Sequence, residues 1–172
     1  MIGGMRRWRL APWVAAAALV GACGYHIGGN LPSHVKTVAV PMFKNLTQQP
    51  NIENVITSGV VNAFVSGGQL RVVPVEQADS LLEGEIAAYS VDSIAFDPSI
   101  NAQVFRLRVT LNVKFRDLKN SSTLWHQEGL QEQSDFRVGG QVSQTIAFEE
   151  TASRQAAVEI GRKVVSLALD RF

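Results

Sequence analysis

Apolar and polar residues alternate through the segment from Val104 to Arg116. Alternation with a period of two is typical of a β-strand that packs one face and exposes the other. The segments from Leu82 to Phe96 and from Thr123 to about Phe136 also lack helical periodicity, and turn-forming residues separate the three. The pattern therefore predicts a meander of three long strands. The packed face of its middle strand is predicted to hold Phe105, Leu107, Val109, Leu111, Val113 and Phe115.

A first helix is predicted from the spacing of apolar residues after Asn51. Asn51 is a good N-cap, and the helix is expected to end at Ser66 because Gly67 and Gly68 follow it. Its apolar face holds Ile52, Val55, Ile56, Val60, Ala63 and Phe64.

A second, much longer helix is predicted from about Ser143 to Leu169. Its apolar stripe consists of Phe148, Ala152, Ala156, Ile160 and Val164. Opposite charges four residues apart predict two ion pairs on its outer face, Glu150 with Arg154 and Glu159 with Lys163.

Short β-branched runs flank the first helix, Val35 to Val40 before it and Leu70 to Pro74 after it. A strand, a helix and a strand joined by short links predict a right-handed crossover between parallel strands. With the meander, the elements predict a two-layer α+β fold: two helices packed on one face of a mixed, mostly antiparallel sheet, with the other face bare. The helix residues expected against the middle strand are Ile56, Val60, Phe64, Ile160 and Val164. Residues 35–172 are predicted to form this single domain.

Residues 1–22 have the pattern of a secretory signal, with three arginines followed by an apolar run too short to span a membrane. The run ends in Val20-Gly21-Ala22-Cys23, which resembles the lipobox of bacterial lipoproteins. That resemblance implies cleavage before Cys23 and three acyl chains on this residue, enough for stable attachment. Gly24 in place of Asp implies the outer membrane, on its periplasmic side. Residues 23–34 are predicted to be a lipidated tether; the alternative is cleavage within the alanine run, which leaves Cys23 a free thiol.

Composition and motifs exclude several classes of function. With 46% hydrophobic residues and a net charge of +1, the 172-residue chain is too apolar for disorder and gives no reason to expect nucleic-acid binding. The histidines His26, His34 and His126 lack metal-ligand spacing, and one cysteine makes no zinc site. The sequence has no nucleophile elbow or phosphate loop. It therefore predicts a protein that is not an enzyme and has no metal or cofactor besides the lipid on Cys23.

Four basic residues form a stripe on the polar side of the middle strand: Arg106, Arg108, Lys114 and Arg116. A constant register of the first hairpin keeps apolar residues opposite apolar residues. In that register the pairs include Ile94 with Phe105, Ala88 with Leu111, Lys114 with Glu85 and Arg116 with Glu83. Cross-strand ion pairs therefore explain Lys114 and Arg116 as structural residues.

The same register places Arg106 and Arg108 opposite Ser93 and Val91, without an acid. Since a guanidinium offers a fork of donors that suits phosphate, Arg106 and Arg108 are predicted to bind an anionic partner. The alternative is an ordinary solvated strand face.

Several short motifs occur in a characteristic order. The tether begins Cys23-Gly24-Tyr25-His26, and a strand-to-helix passage reads Phe43-Lys44-Asn45-Leu46-Thr47, with Pro50 and Glu53 after it. Together with the long hairpins and the final Ala-rich helix, they resemble the LPS-assembly lipoprotein family, LptE. The resemblance implies a lipid-anchored plug inside the outer-membrane β-barrel LptD that helps the barrel assemble and takes part in inserting lipopolysaccharide in the outer leaflet. The implied partners are this barrel, lipopolysaccharide, and the membrane itself through the acyl chains.

The sequence departs from the family at the hairpin tips, where some members carry basic residues. Here the first tip reads Phe96-Asp97-Pro98-Ser99, with no base, and the second has only Lys119. A competing interpretation is a periplasm-facing lipoprotein adaptor that docks or activates a cell-wall enzyme.

Overall fold

A computed structural model of the chain describes residues 31–97, 102–139 and 142–170. These residues form two helices and a mixed sheet of six strands, which confirms the predicted α+β fold. In chain order the elements are β1 (Thr37–Ala39), β2 (Lys44–Asn45), α1 (Ile52–Gly67), β3 (Arg71–Val72), a 3-10 turn (Val75–Gln77), β4 (Ser80–Asp97), β5 (Ala102–Asp117), β6 (Ser122–Gly139) and α2 (Val142–Asp170).

The strand order in the sheet is β3-β1-β4-β5-β6, and β2 pairs further along β4. β1 runs parallel to both β3 and β4, whereas β4, β5 and β6 form the predicted antiparallel meander. β1 and β3 are shorter than predicted, and β2 was not predicted. Two residues are too few to produce a periodic pattern, and Lys44 and Asn45 have no β-branched neighbour in the strand.

The core lies between the sheet and the two helices. Five of the six predicted β5 residues are buried: Leu107, Val109, Leu111, Val113 and Phe115. The helix residues expected against them are buried as well: Ile56, Val60, Phe64, Ile160 and Val164. This confirms the one-sided packing that the alternation predicts. Phe105, the sixth residue, is only half-buried and stacks on Phe136 of β6 with ring centroids 5.6 Å apart.

The prediction that Phe148 belongs to the buried stripe of α2 is wrong, because its side chain is 43% exposed. Gly59 of α1 lies against Ala157 of α2, and Gly67 lies against Val165. The two helices therefore run parallel. Since α1 begins only at Ile52, the first turns of α2 extend beyond it, and Phe148 has no α1 residue beside it.

Glycines bring the two helices into close contact. A Cβ atom added at Gly161 would lie 2.5 Å from the carbonyl oxygen of Gly59, and one added at Gly59 would lie 2.5 Å from that of Ala157. Both distances are far below van der Waals contact. The helices can therefore pack at this distance only because these two positions have no side chain.

The constant register predicted for the first hairpin is wrong along most of its length. Ile86 lies opposite Leu111, but Ser93 lies opposite Phe105, because irregularities at Ile86/Ala88 and Ser93/Ala95 each add one residue to β4. The predicted register holds only for the three pairs next to the tip. A β-bulge reverses which residues face the core, and on β4 the core side passes from the even-numbered Leu82 and Ile86 to the odd-numbered Tyr89 and Val91. A constant register does not allow for this reversal.

Asn51 is the N-cap of α1, as predicted, although it adopts a left-handed conformation with φ of 63° and its side chain makes no capping hydrogen bond. Of the two ion pairs predicted on α2, one is present and the other is wrong. On α2 the pair Glu150–Arg154 is present at 3.1 Å. Lys163, however, pairs with Glu132 of β6 rather than with a residue of its own helix. Its predicted partner Glu159 instead pairs with Arg162 at 2.7 Å.

Candidate functional site: the polar face of the sheet

The side of the sheet opposite the core is the polar face. On β5 it consists of the even-numbered residues Arg106, Arg108, Thr110, Asn112, Lys114 and Arg116, each half-buried or exposed. The alternation that buries the odd-numbered residues turns these side chains outward. Charged residues of β4 and β6 surround them, so the chemistry of this face is that of ion pairs and hydrogen bonds.

Arg106 forms a bidentate pair with Asp135 of β6. Its Nε and Nη2 atoms donate to Oδ1 and Oδ2 of Asp135, each at 2.7 Å. The hydrogen bonds from Arg106 hold the pKa of Asp135 below its usual range, and Asp135 raises the pKa of Arg106. The expectation that Arg106 has no acid opposite it is therefore wrong.

Arg108 also has an acidic neighbour, since its Nη1 atom lies 3.4 Å from Oδ2 of Asp92. Asp92 lies opposite Arg106 in the observed register. The irregularity at Ser93/Ala95 brings this acid into the stripe. The constant register places Ser93 and Val91 opposite the two arginines, and a register of the first hairpin alone does not include Asp135 of β6. The unmatched charges on which the ligand prediction rested are thus absent; binding of an anion by Arg106 and Arg108 stays a prediction.

The other two bases of the stripe are partly as predicted. Arg116 pairs with Glu83 at 3.6 Å, reaching it diagonally because Leu81 lies directly opposite. The register places Lys114 opposite Glu83 and not opposite its predicted partner Glu85. Glu85 instead pairs with Lys44 of β2 at 3.3 Å. Lys44 lies in β2, the strand that the sequence did not predict, and takes the place of Lys114 as the partner of Glu85.

An open groove of about 780 Å³ lies on this part of the polar face. Its lining combines both signs of charge and includes Lys44, Glu83, Glu85, Lys114, His126 and Glu128. His126 is exposed and lies 3.2 Å from Glu128. In the described ranges no three His, Cys, Asp or Glu side chains are grouped so that they could hold a metal ion. The groove therefore offers mixed polar contacts rather than a single charged pocket.

The first described residues are fixed to one end of the sheet. Nε2 of His34 lies 2.7 Å from Oδ2 of Asp117, the last residue of β5, whose side chain is buried. Burial alone raises the pKa of Asp117, but hydrogen bonds from the Asn120 amide and from His34 outweigh it, so the pKa is lowered. This contact was missed because His34 and Asp117 are distant in sequence and neither belongs to a recognisable motif.

Asp79 connects the same end of the sheet to β1. Its carboxylate accepts hydrogen bonds from the backbone N–H groups of Lys36 and Thr37, each at 3.1 Å, and forms an ion pair with Lys119 at 2.9 Å. The Lys119 ammonium first of all, then Lys36 and Thr37, hold the pKa of Asp79 well below its usual range. The β5–β6 turn and the start of the domain are thus joined through two ionised carboxylates.

Several predicted features lie outside the described residues. These are the signal 1–22, Cys23 with most of the tether, His26 and the tip of the first hairpin. Within the described helices, none is both long and apolar enough to cross a membrane.

The fold and this face define a class: a two-layer α+β domain with one packed and one open, charged sheet face. The sequence matches the family described as LptE, Lipopolysaccharide-assembly, over residues 35–167. The chain belongs to this family, which confirms the resemblance found in the sequence. No match was found among the curated proteins.

Solved structures share the fold at low sequence identity. A protein from Xanthomonas campestris has 12% identity and a TM-score of 0.50, over 80% of this chain and 87% of its own. A hypothetical protein from Chlamydia trachomatis has 10% identity and a TM-score of 0.50, over 78% of this chain and 95% of its own. Identities this low bear on the fold alone.

Proposed function

We propose that the protein is an outer-membrane lipoprotein, anchored through acyl chains on Cys23, that plugs the LptD β-barrel from the periplasmic side. In this role it helps the barrel assemble and takes part in inserting lipopolysaccharide in the outer leaflet, without catalysing a reaction. The observation that carries the proposal is the family match, which covers every strand of the sheet, α1, and α2 as far as Leu167.

The polar face suits the inside of a barrel. Transmembrane barrels have a polar interior, and a cation brought there without a partner is costly. Arg106, Arg108 and Arg116 each have an acid within 4 Å on a neighbouring strand. The face can therefore approach a polar wall without leaving these charges unpaired.

The position of the first described residues indicates which end of the sheet lies nearer to the lipid anchor. His34 lies at the end of the sheet where β5 ends at Asp117, whereas β4 ends and β5 begins at the opposite end, at Asp97 and Ala102. The 16 residues of β5 span roughly 50 Å. The eight peptide units from Cys23 to Leu31 reach at most about 28 Å. The lipid anchor then stays nearer to the β5–β6 end, and the β4–β5 hairpin is directed away from it.

Contact with lipopolysaccharide is proposed for Arg106 and Arg108. A phosphate would have to replace a carboxylate partner, and the single 3.4 Å contact of Arg108 is easier to exchange than the bidentate pair of Arg106. Arg108→Gln is therefore expected to weaken lipopolysaccharide binding by the mature protein more than Arg106→Gln does. Thr110→Ala, on the same face, is the matched control. Unchanged binding in both arginine variants would remove these residues from the site.

The proposal as a whole is tested by purifying the mature protein from detergent-solubilised outer membranes. A stoichiometric large β-barrel in the eluate, with acyl chains on Cys23 by mass spectrometry, is the expected result. A cell-wall synthase in place of the barrel would favour the adaptor. A mature N-terminus elsewhere than Cys23 would contradict the anchor. Cys23→Ala is the control, which should abolish membrane attachment.

A further inference from the structure

We propose that the free edge of β6 accepts a single extended segment of a partner polypeptide as an additional strand. β6 has 18 residues and, within the part of the chain that the structure describes, pairs with β5 alone. The edge of a strand presents unpaired N–H and C=O groups, and an extended peptide is the ligand that matches this repeat.

The register shows which backbone groups point to the open edge. The N–H of Leu46, the residue directly after β2, donates to the carbonyl of Ile86 at 3.0 Å, so the backbone groups of Ile86 face away from β5. Leu111, opposite Ile86, must then direct its own backbone groups to β6, because a residue in an antiparallel pair bonds on one side only. Leu111 and Val109 accordingly bond to Leu130 and Glu132.

The backbone groups of β6 alternate in direction, so the N–H and C=O groups of every second residue point to the open edge. These residues are Gln131, Gln133, Asp135 and Arg137. A contact from α2 supports this assignment independently: the ammonium of Lys163 donates to the carbonyl of Gln131 at 3.3 Å. A charged side chain over an edge carbonyl is a common means of keeping an edge from pairing indiscriminately.

A pocket beside this edge fits one side chain of an added strand. It has a volume of about 410 Å³ and lies between β6 and α2, lined by Leu130, Arg162, Lys163, Ser166 and Leu167. Leu130 and Leu167 are half-buried and form its apolar floor. A strand added about 4.8 Å from β6 would direct alternate side chains to the helix side of the sheet. The segment is therefore expected to carry an aliphatic side chain where it passes Leu130.

The position of α2 favours a lone strand over a second copy of this chain. α2 packs mainly against β6 rather than β5. Two copies joined through β6 would bring their α2 helices beneath strands only about 4.8 Å apart, whereas packed helices need about 8–10 Å between axes. A segment without a helix beneath it meets no such obstacle.

The test measures amide hydrogen exchange in the full mature chain in detergent, with and without a blocked eight-residue peptide of alternating threonine and valine. In the free protein the amides of Gln133 and Asp135 should exchange rapidly and that of Ser134 slowly. Saturating peptide should slow the first two by about tenfold or more and leave Ser134 unchanged. The same peptide, N-methylated at every second residue, is the matched control and should protect nothing.

Gln133→Pro should abolish the protection, because it removes an edge N–H that β5 does not use, whereas Gln133→Ala should keep it. If the proline variant fails to fold, the comparison of the two peptides on the unaltered protein decides. Three results would overturn the proposal: edge amides already protected in the dilute free protein, protection that rises with protein concentration alone, and protection by the N-methylated peptide equal to that by its parent.

Discussion

Leu111 and Thr110 are neighbours on β5, yet they belong to two differently stabilised surfaces. Leu111 is fully buried beneath the helices, and Thr110 is half-buried on the polar face. On the first side, stability comes from apolar area removed from water, worth about 1.5–3 kcal/mol for a large side chain. On the second, it comes from ion pairs whose arginines are more than a third exposed, so water and salt screen each pair and its contribution to stability is small. The core face of the sheet therefore provides most of the stability, and the ion pairs of the polar face can be exchanged for contacts with a partner at little cost in stability.

The largest effect is expected at the centre of the core. Leu111→Ala should lower the free energy of unfolding by about 2–5 kcal/mol, because it removes a buried side chain and leaves a cavity. Thr110→Ala, the matched change on the other face, should cost well under about 1 kcal/mol. Chemical denaturation of both variants measures the difference. Equal losses would contradict the one-sided packing.

The next effect is expected at Asp79, whose carboxylate accepts hydrogen bonds from β1 and pairs with Lys119. Asp79→Asn should cost about 1.5–3 kcal/mol at neutral pH, the range for hydrogen bonds to a charged group. The folded pKa of Asp79 lies below its unfolded value of about 3.9, so its contribution is complete above about pH 5 and is lost as the pH falls below about 4. Unfolding measured from pH 7 to pH 3 should therefore show a shallower acid dependence in the variant. Thr110→Ala, which removes no ionisable group, is the control and should leave that dependence unchanged.

The helix layer offers a test of close packing. Gly161→Ala should destabilise the protein by about 1–3 kcal/mol, because the new Cβ would overlap the backbone of α1. Gly67→Ala is the control, since its Cβ would lie 3.6 Å from Val165, an ordinary contact. Thermal unfolding of the two variants should separate them clearly. A Gly161→Ala protein as stable as the control would mean that the helices can move apart freely.

The smallest effect is expected from the ion pair of Arg106. A double-mutant cycle with Arg106→Gln and Asp135→Asn should give a coupling energy smaller than the loss in any destabilised variant above, because both side chains are more than a third exposed. Denaturation at low and at high salt supplies the measurement, and the coupling should fall as salt rises. A coupling as large as the loss in Leu111→Ala would place this pair among the residues that stabilise the fold.

The features predictable from the sequence are those that repeat. The alternation on β5 recurs over the whole strand, so it specified the buried face, the meander and the side on which Leu111 and Thr110 lie. The helical stripe of α2 was predictable for the same reason, except at Phe148. The burial of Phe148 depends on where α1 begins relative to α2. The apolar pattern of α2 alone does not show this.

The ion pairs of the polar face were less predictable, because they depend on register. Asp92 and Asp135 can both be read in the sequence, but the irregularity at Ser93/Ala95 decides which base lies opposite Asp92. The alignment of β6 with β5 decides which base lies opposite Asp135. The contact between His34 and Asp117 joins residues 83 positions apart. Such contacts require the fold to be known first.

The paired charges of the polar face also bear on how fast a partner can find it. The electrostatic potentials of two opposite charges a few ångströms apart nearly cancel far from the pair. Salt screens what is left beyond about 8 Å, the screening length at physiological salt. Arg106 with Asp135 and Arg116 with Glu83 are arranged in this way. The face therefore projects little field into solution, and encounter with a partner should proceed without electrostatic steering, at the roughly 10⁵–10⁶ M⁻¹s⁻¹ of neutral surfaces. Association rates that hardly change with ionic strength are the kinetic consequence of a surface that neutralises itself.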